Sequence, residues 1–459
     1  MAQELSRKSR IAIIGAGYAG MAAATELAAR GIPATVYESS RTLGGRARTV
    51  EIHGTTVDNG QHILIGAYRE TLRLMRLVGA DPERLLLRLP LTLTYPGSMR
   101  LVAPRLPAPL HLAFALLGAQ GLSWTDKFAA IRFMQALKRT RFRLAPQHAA
   151  ATVSALLDAH AQPRRLRKFL WEPLCVAALN TAAEIASAQV FVNVLRDSLA
   201  AEASASDLLL PRVDVGALFP TVAAGYISRH GGSIRPDTAI RRIAMQDDGF
   251  ILLDGKQDTS HGPYTHVIAA VAPYHLAALI EGLPQLGTLQ HGIANLHHEP
   301  IVTCYLRYPP QVRLPFPMLG NADGLVQWLF DRGQLDGPPG LLAAVISARG
   351  RHQELSKQEL AERMHAEIAS IMAYLPTPLP TPLPAPLWTQ VIAEKRATFS
   401  CTPDLQRPAT ETPLAGLLLA GDYIASDYPG TLEAAVRSGV KAAASVAASI
   451  LGQAAADQA

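Results

Sequence analysis

Three glycines open the chemistry of this chain. Gly15-x-Gly17-x-x-Gly20 follows a short apolar run at residues 10–14 and precedes an alanine-rich stretch from Met21 to Arg30. At this spacing each glycine has its own task. The first permits a tight turn, the second lets backbone approach a pyrophosphate, and the third lets helix and strand pack closely. Tyr18 and Ala19 lie inside the turn. The helix that follows turns its free N–H groups and positive dipole end toward an anion. Glu38 ends the next apolar run, Ala34 to Tyr37, near the ~20-residue offset at which an acid accepts ribose hydroxyls. An acid there repels a 2′-phosphate, which disfavours NADP at this site. A glycine-rich loop without a ligand explains the glycines, but not the strand, helix and acid placed around them.

Two further segments refine the reading. Gly44-Gly45-Arg46 turns the chain back soon after Glu38. Consecutive glycines give close backbone approach, and a guanidinium pairs with a diphosphate. A domain for NAD alone does not require this segment, so its presence moves the choice to FAD; a surface turn with an arginine is the plainer reading. Near the C-terminus an apolar run ends at Gly421-Asp422, and Pro429-Gly430-Thr431 opens a long helix. An acid after such a strand can bond a ribityl chain. The amides of the first helical turn, at Thr431 and Leu432, can face the flavin C2 carbonyl, where negative charge develops on reduction.

The elements that must hold these residues follow from periodicity. Residues 10–38 read as a strand, a helix closed by Gly31 and Pro33, and a second strand, which is one β-α-β unit. Residues 68–78, 123–143, 150–170 and 184–203 carry apolar positions at helical spacing. Strands are predicted within 233–253, at Val267 to Val271, Ile301 to Arg307, 389–393 and Leu417 to Ala420, with a final helix over 431–451. Prolines alternate from Pro376 to Pro386, which excludes helix interior and central strand and predicts an extended connector. No internal repeat is present. The fold class expected is α/β: a Rossmann-type FAD-binding domain assembled from discontinuous segments, an α+β substrate-binding domain, and a helical part. The segments are 8–65, 226–280 and 401–459 for FAD, 66–225 as a mainly helical region facing substrate or membrane, and 281–400 as substrate-domain strands and helices.

Composition narrows the partners. Of 459 residues, 49% are hydrophobic and only 17% charged, so general disorder is excluded. Mean hydropathy is slightly positive, which suits a greasy substrate or a membrane surface. The formal charge of +6 does not indicate nucleic acid, because the basic residues are scattered apart from two runs. One holds Arg132, Lys138, Arg139, Arg141 and Arg143; the other holds Arg164, Arg165, Arg167 and Lys168. Both lie near the apolar stretch Leu106 to Leu122. They fit a solvated helix face or docking on anionic lipid equally well. Three unpaired cysteines, Cys175, Cys304 and Cys401, suit a reducing compartment and no disulfide framework. His297-His298 has no metal-ligand spacing to other residues, so no metal is expected. The first apolar run leads directly into glycines and reads as no secretory signal. No unbroken apolar segment reaches the ~20 residues of a bilayer span. The reading is a cytoplasmic protein, with peripheral contact on the inner membrane face left open.

With Glu38, Arg46 and Asp422, these glycine motifs resemble the amine-oxidase and phytoene-desaturase flavoprotein superfamily. Other stretches resemble, more narrowly, the hydroxysqualene dehydroxylase family. They are Asp58 to His62, Trp171 to Cys175 with Ala178 to Asn180, Ser187 to Phe191, Ser206 to Arg212, and Glu394 to Phe399. The resemblance runs from about residue 10 to 450 and implies FAD, a long-chain isoprenoid substrate (hydroxysqualene), and reductive loss of its hydroxyl as water. It names no proton donor. His62 follows the turn-rich Asp58-Asn59-Gly60 and is the catalytic candidate, against the commoner structural role of a lone histidine. Asp207 and Arg212 bracket an apolar run, as a buried pair or a site pair. A carotenoid-type desaturase or isomerase stays open, as does a non-redox isoprenoid carrier of the same fold. The electron donor is not named by the sequence.

Overall fold

A five-stranded parallel sheet organises the molecule, in the order Ser233–Arg235, Thr35–Tyr37, Ile11–Ile14, His266–Ala269, Leu417–Leu419. The structure is a computed structural model that describes residues 10–148, 150–255, 259–375 and 382–456. The five strands come from three widely separated stretches of chain, the discontinuous α/β arrangement expected. Ile11–Ile14, His266–Ala269 and Leu417–Leu419 are buried at every position. Strands covered on both faces read as continuous apolar runs rather than alternating ones, which is what these sequences show.

The first helix, Tyr18–Ala29, and the last, Leu432–Ala456, pack on each other beside this sheet. Their contact depends on Gly439. A methyl there would lie 3.0 Å from the Ala19 carbonyl carbon and the Ala23 nitrogen, and would overlap the Ala19 oxygen. Residues 432–452 are long and apolar enough to cross a membrane, but half of that stretch is buried inside the fold, in the core shared with the first helix.

A second sheet is wholly antiparallel, in the order Met318–Gly320, Trp328–Asp331, Leu341–Ser347, His298–Arg307, Trp388–Phe399. Strand alternation divides its side chains between two cores. Val302, Cys304 and Leu306 face the helix Lys357–Met372 with Leu360, Met364 and Ile368. Tyr305, Ala343 and Val345 face the other way, onto Val57 and Leu210. Ser356 and Glu359 form a reciprocal capping box that fixes where the covering helix starts.

Two expectations need correcting. The stretch 150–170 is not one helix: Val153–Ala159 ends before Pro163, which cannot continue it, and a new helical segment starts at Arg164. The mainly helical region also contains strands, at Leu86–Leu89, Thr92–Tyr95, Met99–Val102 and Leu208–Pro211. Leu208–Pro211 is the middle strand between Leu64–Ile65 and Leu86–Leu89, so its leucines are buried by pairing on both edges. Asp207 pairs with Arg88 at 2.9 Å, not with Arg212, which is exposed. The alternating prolines at 376–381 lie outside the described residues.

Alanine is normally the better helix former by about 1 kcal/mol. At Gly439 the overlap with Ala19 should reverse that preference. Gly439→Ala is expected to destabilise the holoprotein by about 1–3 kcal/mol, the usual cost of overpacking. Thermal denaturation checks this; a raised melting temperature would contradict the close helix contact.

Candidate cofactor and active site

The glycine turn is built by close backbone approach. Gly15 adopts φ +104° and donates its N–H to the Tyr37 carbonyl at 2.7 Å. A methyl at Gly20 would overlap the Gly15 carbonyl oxygen and lie 3.2 Å from the Ala270 Cβ. Gly17 caps the first helix without a side-chain hydrogen bond, and the first turn holds no acid. The orphan amides of that turn are thus left for an anion. Gly44 donates to the Ala16 carbonyl at 2.9 Å and bridges to Gly17. A methyl at Gly45 would sit 3.2 Å from the Gly17 Cα. The two glycine segments therefore form one surface without side chains, which fits a dinucleotide pressed against backbone.

Glu38 is 7% exposed at the end of its strand. Its carboxylate accepts from the Ala16 amide at 2.8 Å and the Ser40 amide at 2.8 Å. Those bonds aim the acid at the glycine turn, and a carboxylate has about four lone-pair sites, so acceptor capacity remains. Tyr18 points away from the turn: its hydroxyl donates to the Val215 carbonyl at 2.9 Å and its ring packs on Phe219. Tyr18 and Ala19 are both buried, so only their backbone can face a ligand.

Arg46 and Asp422 meet across the crevice. Arg46 Nη2 lies 2.5 Å from Asp422 Oδ1, and Nη1 donates to the Ala397 carbonyl at 2.7 Å. The guanidinium expected on a diphosphate is thus held by the acid expected on a ribityl chain. Burial alone would lower the Arg46 pKa, but Asp422 more than offsets it and holds the cation firmly charged. Gly421 donates its N–H to Ser438 Oγ at 2.8 Å, fixing the strand end to the last helix. A methyl at Gly430 would lie 3.2 Å from Asp422 Oδ2. Thr431 Oγ1 accepts from the Ala434 amide at 3.2 Å, so it caps the helix whose first residue is Leu432.

Sequence reasoning missed three side chains around this pair. Arg396 lies over the Tyr274 ring at 3.7 Å, and Tyr274 is 5.5 Å from the His298 ring. Burial, then Arg46 and Arg396, push the His298 imidazole down, and its Nε2 has no partner among the described residues. Burial raises the Tyr274 phenol, so it keeps its proton. A signal for Tyr274 was available, because it opens the helix Pro273–Leu279 just past the parallel strand His266–Ala269, and ligands bind beyond the carboxyl ends of such strands.

His62 is placed differently. The groups acting on it are the Gly60 backbone and Arg332. Burial lowers its imidazole to about 4, and Nδ1 has no partner among the described residues. At neutral pH it is uncharged, able to exchange hydrogen bonds but not to serve as an imidazolium acid. Beside it lies a buried polar group. Arg332 Nη1 donates to Gln61 Oε1 at 2.8 Å and lies 3.6 Å from Asp58 Oδ2; its Nη2 is 2.5 Å from Asp336 Oδ1. Burial pushes Asp58 up to about 6 against the pull of Arg332.

The model of the flavin-containing amine oxidoreductases matches residues 18–447, nearly the whole chain. The chain belongs to that family. The oxidoreductase is therefore an FAD-dependent enzyme. It is 29% identical to a hydroxysqualene dehydroxylase of Sinorhizobium fredii, over 94% of this chain and 96% of that one. It is 25% identical to a zeta-carotene desaturase of Solanum lycopersicum, over 95% of this chain and 80% of that one. A putrescine oxidase structure superposes with a TM-score of 0.70 at 18% identity, covering 96% of this chain and 99% of that one. That likeness carries the fold alone.

The shift at His62 gives the oxidoreductase a pH signature. An unfolded imidazole takes a proton near pH 6.5, whereas the folded one refuses it until about 4. Folding stability is therefore complete above the first value and falls as pH drops through the second. In His62→Gln, urea unfolding should lose part of that acid-side decline between pH 6.5 and 4. An unchanged pH dependence would contradict the burial of this ring.

Proposed function

We propose that this oxidoreductase removes the hydroxyl of hydroxysqualene, or a closely similar isoprenoid alcohol, to give the hydrocarbon, in squalene and hopanoid supply. The cofactor half is 8–65, 226–280 and 401–459; the substrate half is 66–225 with 281–400. Reduced FAD, when bound, would supply the hydride that replaces the hydroxyl, which would depart as water with one proton drawn from solvent. Glu38 would hold the ribose, the amides after Gly17, at Tyr18 and Ala19, the diphosphate, and Asp422, Thr431 and Leu432 the flavin end.

One observation carries the narrower reading. Two of the segments that resemble the dehydroxylases, Ala178 to Asn180 and Glu394 to Phe399, are bonded to each other next to the Ala397 carbonyl that holds Arg46. Asn180 ends the helix Glu172–Leu179 in a left-handed conformation. Its side-chain amide donates to Thr398 Oγ1 at 3.0 Å and to the Pro300 carbonyl at 3.3 Å, and its oxygen accepts from the Ala348 amide at 2.7 Å. Ser187 donates its N–H to the Cys401 carbonyl at 2.8 Å. Thr398 follows Ala397, whose carbonyl holds Arg46. Segments scattered through the middle of the sequence thus support the strand that reaches the cofactor end.

The chain's own tasks are positioning and drying. A polyene offers no charged group to grip, so apolar enclosure must align one carbon for reaction. Tyr274 is a hydrogen-bond donor beside Arg46, and burial raises its phenol so that it keeps its proton at neutral pH; a neutral His62 is not required as an acid. The reducing equivalents come from a partner protein or a transient nicotinamide. Work at the inner face of a membrane suits such a substrate.

The desaturase relative supports a second reading, in which oxidised flavin removes hydrogens from a related polyene. Holoenzyme reduced with dithionite under anaerobic conditions and given hydroxysqualene should yield squalene. No squalene, together with desaturation of phytoene by the oxidised enzyme, would overturn the first reading in favour of the second.

A further inference from the structure

We propose that the face formed by the helices Leu110–Leu117 and Trp124–Arg139 docks on an anionic lipid bilayer. Twelve large apolar side chains are exposed among the described residues, and six of them gather in one short stretch: Val102, Leu110, Phe114, Leu117, Trp124 and Phe128. Leu110, Phe114 and Leu117 recur at helical spacing and share one face; Trp124 and Phe128 do the same on the next helix. The two helices pack together, and the first also packs on the strand Met99–Val102. The patch is therefore continuous rather than a scatter of single residues, which would need no explanation.

The patch is also held rigid. Ser123 and Asp126 form a capping box at the start of the second helix. Lys127 Nζ donates to the Leu117 carbonyl at 2.7 Å and lies 4.8 Å from the Trp124 ring centre, so it ties one helix to the next and steadies the exposed tryptophan. Trp124 and Phe128 are 62% and 57% exposed despite this order.

Charge selects the occupant. From Met99 to Arg143 the only acid is Asp126, and the capping box uses it. Arg105, Arg132, Lys138, Arg139, Arg141 and Arg143 are all exposed in the same stretch. An apolar face carrying tryptophan and flanked by bases matches a bilayer interface with anionic head groups, which attract cations while the boundary accepts aromatic rings. A second copy of this chain is the wrong partner, because pairing the face with itself would oppose like charges. Docking rests on exposure and charge alone. Only the corollary, that an isoprenoid passes from the bilayer into the enzyme at this face, rests on the function proposed above.

The test is flotation of the full-length holoenzyme with vesicles, which needs no turnover. Equal mixtures of phosphatidylglycerol and phosphatidylcholine should carry the protein at least about tenfold better than phosphatidylcholine alone, since one weak signal does not anchor a protein stably. Replacing Phe114, Trp124 and Phe128 together by serine should remove most of that binding. The charge variant Arg132→Glu with Arg139→Glu should remove it too, and added salt should weaken it in the parent. Flavin content unchanged from the parent shows that each variant is folded. Tyr374→Ser, at an exposed aromatic elsewhere, should leave flotation unaltered. Equal binding to neutral vesicles overturns the proposal. So does retained binding in both patch variants, or a dimer that the serine variant converts to monomer in light scattering.

Discussion

The Arg46–Asp422 ion pair is the contact on which the site depends. Its partners are 376 residues apart in sequence. Arg46 also holds the Ala397 carbonyl, so one guanidinium joins the glycine-rich segment, the long strand of the antiparallel sheet and the C-terminal strand-turn-helix. Its planar fork is suited to this, because it can satisfy a carboxylate and a carbonyl at once from fixed directions. A lysine would present one compact charge and lose that geometry. Taking the pair out of water costs free energy that only good geometry and further hydrogen bonds offset. Here the Ala397 carbonyl supplies a further hydrogen bond to Arg46.

A second buried tie works in parallel. Arg332 lies between Asp58 and Asp336, 1% exposed, and Tyr305 donates its hydroxyl to the Asp58 carbonyl at 2.9 Å. Asp58 also accepts from the Val215 amide at 2.9 Å. The hairpin Thr49–Ile52 and Thr55–Asp58 is thus locked between the helix Val215–Leu218 and the antiparallel sheet. Two polar anchors set the parallel sheet against the antiparallel one. A site assembled from both sheets needs such anchors, since apolar contact alone specifies orientation weakly. Glu433 adds a third: buried at the start of the last helix, it accepts from the Glu70 and Thr71 amides and so caps the helix Arg69–Val78.

What was legible in the sequence was what local sterics dictate. Gly15 and Gly20 declare a turn because no side chain fits there, and Glu38 follows at the distance one helix and one strand impose. The discontinuous sheet was legible because buried parallel strands are short, continuous apolar runs. The break before Pro163 was also legible, and helical periodicity on both sides concealed it. The partner of Arg46 was not legible, since no local rule links residues so far apart. Tyr274 and His298 gather only because strand ends from different segments meet. Leu208–Pro211 is a strand for a similar reason: an apolar tetrad is neutral between strand and helix until its neighbours are known.

The direct measurement is a double-mutant cycle on FAD binding, using Arg46→Met, Asp422→Asn and the two combined, with flavin fluorescence as the readout. If the pair acts as one clamp, each single change should weaken FAD binding nearly as much as the double change. The coupling should be on the order of 1–3 kcal/mol, as for residues in direct contact. Losses that simply add would show that the two residues meet the cofactor independently, and would contradict the clamp.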